Sequence, residues 1–286
     1  MAACRLSIGG LGIRLEADHT LIPNEEFLPF LTDSKKTDIR IVIDAVDRIP
    51  PIPEKLVYRG STDLYARDSG GTVLRFFFET EKDTQPYAVA FYDDIGVLRV
   101  NCQRDHPQAV TKLQDCFVHL GIEDLLIRKN RICLHAACVQ TPLGGILFSG
   151  PSGIGKSTQA DLWCRYRNGR LINGDRPILS GVEGKWLAWG SPYAGSSRCY
   201  VNESCPITAI VMLEQGRDCV CRRLTKGEAF RAVWSGVTVH DWDPQFALRA
   251  MDLVTELIET VPVFRLRCTV GEESVDFLEK ALREEC

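Results

Sequence analysis

Apolar and polar positions alternate along most of residues 1–104. In DIRIVID, Ile39, Ile41 and Ile43 fall on one side with Arg40 between them, the period-2 pattern of a half-buried strand. CRLSIGGLGIRLEA, KLVYRG, TVLRFFFET, PYAVAFYDD and GVLRVN read the same way, and Asp68-Ser69-Gly70-Gly71 and Asp93-Asp94 supply turns between runs. The pattern predicts a β-rich N-terminal unit over 1–104, an antiparallel sheet of meander type. At Asp105 the period changes. With Pro107 just after it, QAVTKLQDCFVHLGIEDLLIRK carries apolar residues every third or fourth position, which predicts a linking helix over 105–130.

From Arg131 the order becomes strand (ICLHAACV), strand (GGILFS), helix (KSTQADLWCRYR), strand (RLIN), hairpin (GKWLAWG) and strand (ITAIVMLEQ). Helices follow, then VFRLRCTV as a strand and EESVDFLEKALREE as a helix. Such alternation predicts an α/β unit over 131–286. His240-Asp-Trp-Asp243 before Pro244 reads as a helix cap rather than a metal site.

Within that unit Phe148 to Thr158 reads FSGPSGIGKST. Gly150, Gly155, Lys156 and Ser157 fit G-x-x-x-x-G-K-[ST], with an apolar strand before it and a helical pattern after it. Glycines let the backbone curl so that N–H groups point inward at phosphate oxygens, and the helix start adds roughly half a positive charge. Gly150, Ser152, Gly153, Ile154, Gly155, Lys156, Ser157 and Thr158 are therefore the expected cradle for nucleotide phosphates. Lys156 would neutralise the β and γ phosphates, and the Ser157 hydroxyl would reach Mg²⁺. Two acids end apolar runs and are candidates for the metal, Asp175 in RLINGDRPIL and Glu214 in AIVMLEQG.

Charge narrows the partners. The 286 residues carry a formal net charge of -4, which leaves no basic footprint for nucleic acid. No apolar run approaches the roughly 18 residues of a membrane span, and MAACRLSIGG lacks the layout of a signal peptide, so a cytoplasmic protein is expected. Twelve cysteines are scattered without a CxxC pair or zinc spacing, the pattern of reduced, buried thiols.

HAACVQTPLGGILFSGPSGIGKST followed by RLINGD resembles the catalytic domain of HPr kinase/phosphorylase, whose run is a His-headed strand, a GVLxxGxSGxGKS loop and an LVADD turn. The same core is similar to phosphoenolpyruvate carboxykinase. The resemblance spans about 131–180 and weakens beyond, while residues 1–104 resemble nothing in that enzyme. Ile172 to Asp175 (INGD), Gly190 to Gly195 with Pro192 (GSPxxG) and Val261 to Cys268 (VPVxRLRC) resemble an uncharacterised bacterial branch of the superfamily.

The resemblance implies a P-loop kinase domain of HPr kinase type, using ATP and Mg²⁺. Asp175 would bind the metal or orient an acceptor hydroxyl, and His135 would serve as base, or stand as a satisfied core histidine. Arg176 would reach a phosphate, or stand as a solvated turn residue. The loop GSPYAGSSRCY with Arg198 would close over the site, or be an ordinary connection. Arg265 and Arg267 face one side of a strand and would bind acceptor phosphate or carboxylate, or form a solvated edge. Two departures bear on function. The family's turn carries two aspartates where this chain has Gly174 and Asp175, and its Glu-x-x-Gly segment is not found, so phosphorylase activity is not expected. Three readings stay open: a kinase acting on serine of a peptide or small protein, a small-molecule kinase with the N-terminal unit walling the acceptor pocket, and a silent nucleotide sensor or scaffold. The family's habit of assembly makes a homo-oligomer an expectation.

Overall fold

The structure is a computed structural model that describes residues 2–240 and 242–285, so Met1, Asp241 and Cys286 lie outside it. The chain divides into two units, Met1–Leu125 and Leu126–Cys286.

In the first unit the alternating runs form β1 (Ala2–Ile8), β2 (Leu11–Ala17), β3 (Ile39–Val46), β4 (Lys55–Arg59), β5 (Asp63–Arg67), β6 (Val73–Phe77), β7 (Ala88–Tyr92) and β8 (Leu98–Gln103). They make one sheet in the order β1-β2-β3-β8-β7-β6-β5-β4. The meander is real from β4 to β8, but β3 runs parallel to both β2 and β8, so the sheet is mixed and not antiparallel throughout. The reason lies in β3 itself. Ile39, Ile41, Val42 and Ile43 are all buried, which suits an interior strand covered on both faces. The long connection 18–38 replaces the tight turn an antiparallel partner would need.

The stretch expected as one helix over 105–130 is a 3-10 turn at Pro107–Val110, then α1 (Leu113–Leu120) and α2 (Ile122–Ile127). Gly121 ends α1 in the left-handed region at φ 60°, where glycine carries no side-chain penalty. Phe117 of α1 stacks on Phe27 with ring centroids 5.2 Å apart.

The second unit contains β9 (Arg131–Cys133), β10 (Ala136–Thr141), β11 (Gly144–Ser149), α3 (Lys156–Tyr166), β12 (Arg170–Asn173), β13 (Ile178–Val182) and β14 (Lys185–Trp189). It continues with β15 (Ser204–Gln215), β16 (Val220–Arg223), α4 (Lys226–Trp234), α5 (Pro244–Thr260), β17 (Val263–Cys268) and α6 (Glu272–Glu285). Its sheet runs β12-β10-β11-β15-β14-β13-β9, with β17 along the far half of β15 and β16 outside it. β11, β15 and β17 are mutually parallel, and β12 points the same way because it and β11 both run against β10. Four strands therefore end at one edge, where α/β sheets place their ligands.

Helices cover both faces. Ala160 and Trp163 of α3 pack with Val275, Leu278 and Leu282 of α6 on one side. Val233 of α4 and Phe246, Leu253 and Leu257 of α5 fill the other. ICLHAACV is broken at Leu134–His135: β9 pairs with β13, whereas β10 pairs with β11 and β12. The cap before α5 forms as its composition predicts, the Asp243 carboxylate accepting from the N–H groups of Gln245 (3.0 Å) and Phe246 (3.3 Å); Asp241 lies outside the described residues. The described cysteines are all free, and Cys102, Cys116, Cys133, Cys138 and Cys205 are buried. Among the described residues no helix is long and apolar enough to cross a membrane.

Trp163 is the largest side chain of the α3–sheet contact, 1% exposed and tilted against Phe148 with centroids 6.4 Å apart. Its indole Nε1 is buried without a hydrogen-bond partner among the described residues. Trp163→Ala is expected to lower stability by about 3–5 kcal/mol. Trp163→Phe keeps the ring, removes the orphaned donor and is expected to cost under about 1.5 kcal/mol. Urea unfolding of both variants checks this, and equal losses would refute the packing account.

Candidate functional site at the sheet edge

The loop between β11 and α3 follows from its glycines. Gly150, Gly153 and Gly155 take φ values of 142°, 76° and 112°, conformations that residues with a Cβ rarely adopt. A Cβ at Gly153 or Gly155 would project into open space, so it is the backbone conformation and not crowding that calls for glycine there. Gly155 caps α3 with no side chain, which leaves the first-turn N–H groups for water or a ligand. Ile154 turns inward onto the α3–α6 core. Ser152, Ser157 and Thr158 are exposed.

Lys156 does not point away. It is buried, and its ammonium donates to the carbonyls of Gly150 (3.1 Å) and Pro151 (3.1 Å), closing the loop on itself. Burial pulls its pKa below the ordinary 10.5, and the Asp175 charge opposes that pull.

Asp175 sits just beyond β12, on a turn shaped by Asn173. The Asn173 carboxamide oxygen accepts from the N–H groups of Asp175 (2.9 Å) and Arg176 (2.7 Å), and its amide donates to the Ser191 hydroxyl (3.1 Å). Ser191 in turn donates to the carbonyl of Arg176 at 2.7 Å. Both side chains are fully buried. His135, in the gap between β9 and β10, places Nε2 3.2 Å from Asp175 Oδ1, the two side chains being 37% and 32% exposed. The backbone holds this pair from two sides: Ala136 N–H donates to the Asp175 carbonyl (2.9 Å) and His135 N–H to the Gly236 carbonyl (2.7 Å). Desolvation lowers the His135 pKa below 6.5, the Lys156 charge pushes the same way, Asp175 opposes and Arg176 adds to the lowering. A neutral imidazole beside a carboxylate can accept a proton.

Position 174 acquires a physical meaning. A Cβ on Gly174 would lie 2.2 Å from Ser197 Oγ and 2.4 Å from Ser197 Cβ. The 3-10 turn Gly195–Ser197 occupies the volume that a second aspartate would need. The loop expected as a cover is thereby fastened to the acid turn, with Arg176 N–H donating to the Tyr193 carbonyl at 3.2 Å.

The structure thus brings together the loop, Lys156, His135, Asp175 and Arg176. Arg176 donates to Thr238 Oγ1 (2.9 Å) and lies 3.7 Å from Asp175 Oδ2. Arg198 is exposed at the end of the 3-10 turn, at φ 50°. Arg265 and Arg267 face acids of their own, Glu214 at 4.0 Å and Asp218 at 2.7 Å. Of the two candidate acids, Asp175 is the one whose charge acts on Lys156, whereas Glu214 faces Arg265. Asn173, Ser191 and Thr238 are contributors that the motif reading did not assign. Asn173 and Ser191 lie inside the quoted INGD and GSP segments; Thr238 has no local signal.

No family model and no curated protein matches this chain. Among solved structures, one described as the Hpr(Ser) kinase/phosphatase from Coxiella burnetii is similar at 12% identity, over 54% of this chain and 99% of that one, with a TM-score of 0.33. This is a distant likeness only.

Gly174→Asp is expected to cost about 1–3 kcal/mol through overpacking. Adding Ser197→Gly should recover part of the loss by vacating the contact. Thermal or urea unfolding reads both, and a single variant as stable as the parent would contradict the steric account.

Proposed function

We propose that the chain is a kinase that transfers the γ-phosphoryl of ATP to a hydroxyl with Mg²⁺ as cofactor, its acceptor being serine of a peptide or small protein. One observation carries the reading: a bare glycine loop headed by Lys156 shares a sheet edge with an imidazole–carboxylate pair 3.2 Å apart, and Asp175 acts electrostatically on both Lys156 and His135. Every residue invoked lies in the second unit. The choice of serine rests on the motif resemblance.

The residues fit the implied groups. The open space beside Gly153 and Gly155 and the uncapped start of α3 suit phosphate oxygens. The exposed Ser157 hydroxyl and the Asp175 carboxylate are the hard oxygen donors that Mg²⁺ prefers, and two protein donors suffice for an ion that keeps several waters and phosphate oxygens. Bound there, Mg²⁺ would neutralise phosphate charge.

Phosphoryl transfer asks the protein mainly for position and charge. Lys156 would exchange the carbonyls of Gly150 and Pro151 for phosphate oxygen, moving a donor without making a new one. The N–H groups of the loop hold the phosphates in register. His135, kept neutral by desolvation and by Lys156, accepts the acceptor's proton, and Asp175 stabilises the imidazolium that results. Arg176, steadied by Thr238, keeps further N–H donors beside Asp175 for negative charge.

Lys156→Ala is expected to weaken ATP binding roughly 10- to 100-fold, about the 1.5–3 kcal/mol of a charged hydrogen bond; unchanged affinity by calorimetry would sink the phosphate cradle. Asp175→Asn should remove transfer of label from γ-labelled ATP while nucleotide binding persists, and wild-type turnover in that variant would move the role to another acid. A base must be neutral, and the free-protein His135 pKa lies below 6.5. Activity governed by it is therefore full above 6.5 and falls as pH drops through the lowered value. The kcat/KM profile should show that acid limb, and His135→Gln should abolish it with a loss of about 10²–10⁴ in rate.

A further inference from the structure

The hydroxyls around the acid turn are not equivalent. Ser191 Oγ donates to the Arg176 carbonyl (2.7 Å), and Ser197 Oγ donates to the Ala194 carbonyl (2.6 Å) and accepts from Cys199 N–H (3.3 Å). Ser196, in the same 3-10 turn, is exposed, and its hydroxyl has no partner among the described residues. Its neighbours on both sides touch the acid turn. A Cβ on Gly195 would lie 2.9 Å from Asp175 Cβ and 3.4 Å from Asp175 Oδ2, and Ser197 fills the space over Gly174. The turn is also anchored, through buried Ala194, the Ser191 network and the Tyr193 carbonyl. A free serine hydroxyl thus sits on a 3-10 turn whose flanking residues, Gly195 and Ser197, lie against the acid turn. Next to it stands Arg198, exposed, left-handed at φ 50°, its guanidinium without a partner among the described residues.

We propose that Ser196 is a phosphorylation site of the chain's own kinase activity, modified within the same molecule; this rests on the kinase reading above. Ser196 Oγ attacks the γ-phosphorus of ATP. The Oγ–P bond forms, the bond from that phosphorus to the β–γ bridging oxygen breaks, and its electron pair leaves with ADP. The hydroxyl proton passes to the His135–Asp175 pair. Anchoring the turn makes the step intramolecular and removes the cost of bringing an acceptor to the site. Arg198 supplies the cation that a phosphoserine pairs with.

The test uses the full chain, treated with phosphatase, cleared of it and incubated with ATP and Mg²⁺, with intact mass and peptide mapping as readouts. ATP binding and ADP formation are followed in the same samples, with and without an added serine peptide. The expected result is one phosphoryl group on Ser196, absent in Ser196→Ala and carried by threonine in Ser196→Thr, at a per-molecule rate unchanged on dilution. If the peptide is labelled while Ser196 stays unmodified, this inference is overturned and the kinase reading stands; if ADP forms with neither Ser196 nor the peptide modified, the phosphoryl group goes to water and both readings fall. If ATP is not bound at all, both fall. A per-molecule rate that rises with protein concentration would overturn transfer within one molecule.

Discussion

The buried carboxamide of Asn173 is the constraint on which the site depends. Fully enclosed, it must have partners at both ends, because an unpaired polar group costs most where the dielectric is low. Its oxygen takes the N–H groups of Asp175 and Arg176, and its amide takes Ser191. One side chain therefore fixes the acid's backbone and binds the 190–198 loop to it. The loop's glycine and serine content suits mobility, yet Ser191, Tyr193 and Ser197 all engage residues 173–176.

That carboxylate stands between two groups that compete for it. Asp175 raises the pKa of both Lys156 and His135, while desolvation and the Lys156 charge depress that of His135. In the proposed mechanism this separates the roles, a cation for the phosphates and a neutral imidazole for the acceptor. A bound polyphosphate would draw Lys156 from its carbonyls and reduce its effect on His135, which would link nucleotide binding to the proposed base.

The glycine loop was fully legible in the sequence because it is a local device: its φ requirements and its lysine lie within one short run. The cap at Asp243 and the helices of the second unit were legible for the same reason. What escaped reading depends on distant contacts. Whether β3 pairs parallel or antiparallel is decided by the route of residues 18–38. The break at Leu134–His135 arises because β13 claims one half of the run and β11 and β12 the other. Gly174 read as a missing aspartate, but its cause, Ser197, lies on another loop. Thr238 reaches Arg176 across 62 positions, and no local pattern marks it.

The central claim is that the glycine loop and the acid turn form one nucleotide site. Amide hydrogen exchange with and without a non-hydrolysable ATP analogue and Mg²⁺ tests it most directly. The account predicts added protection in two separate segments, residues 150–158 and residues 173–176. Protection of the first segment alone, or of neither, would contradict it.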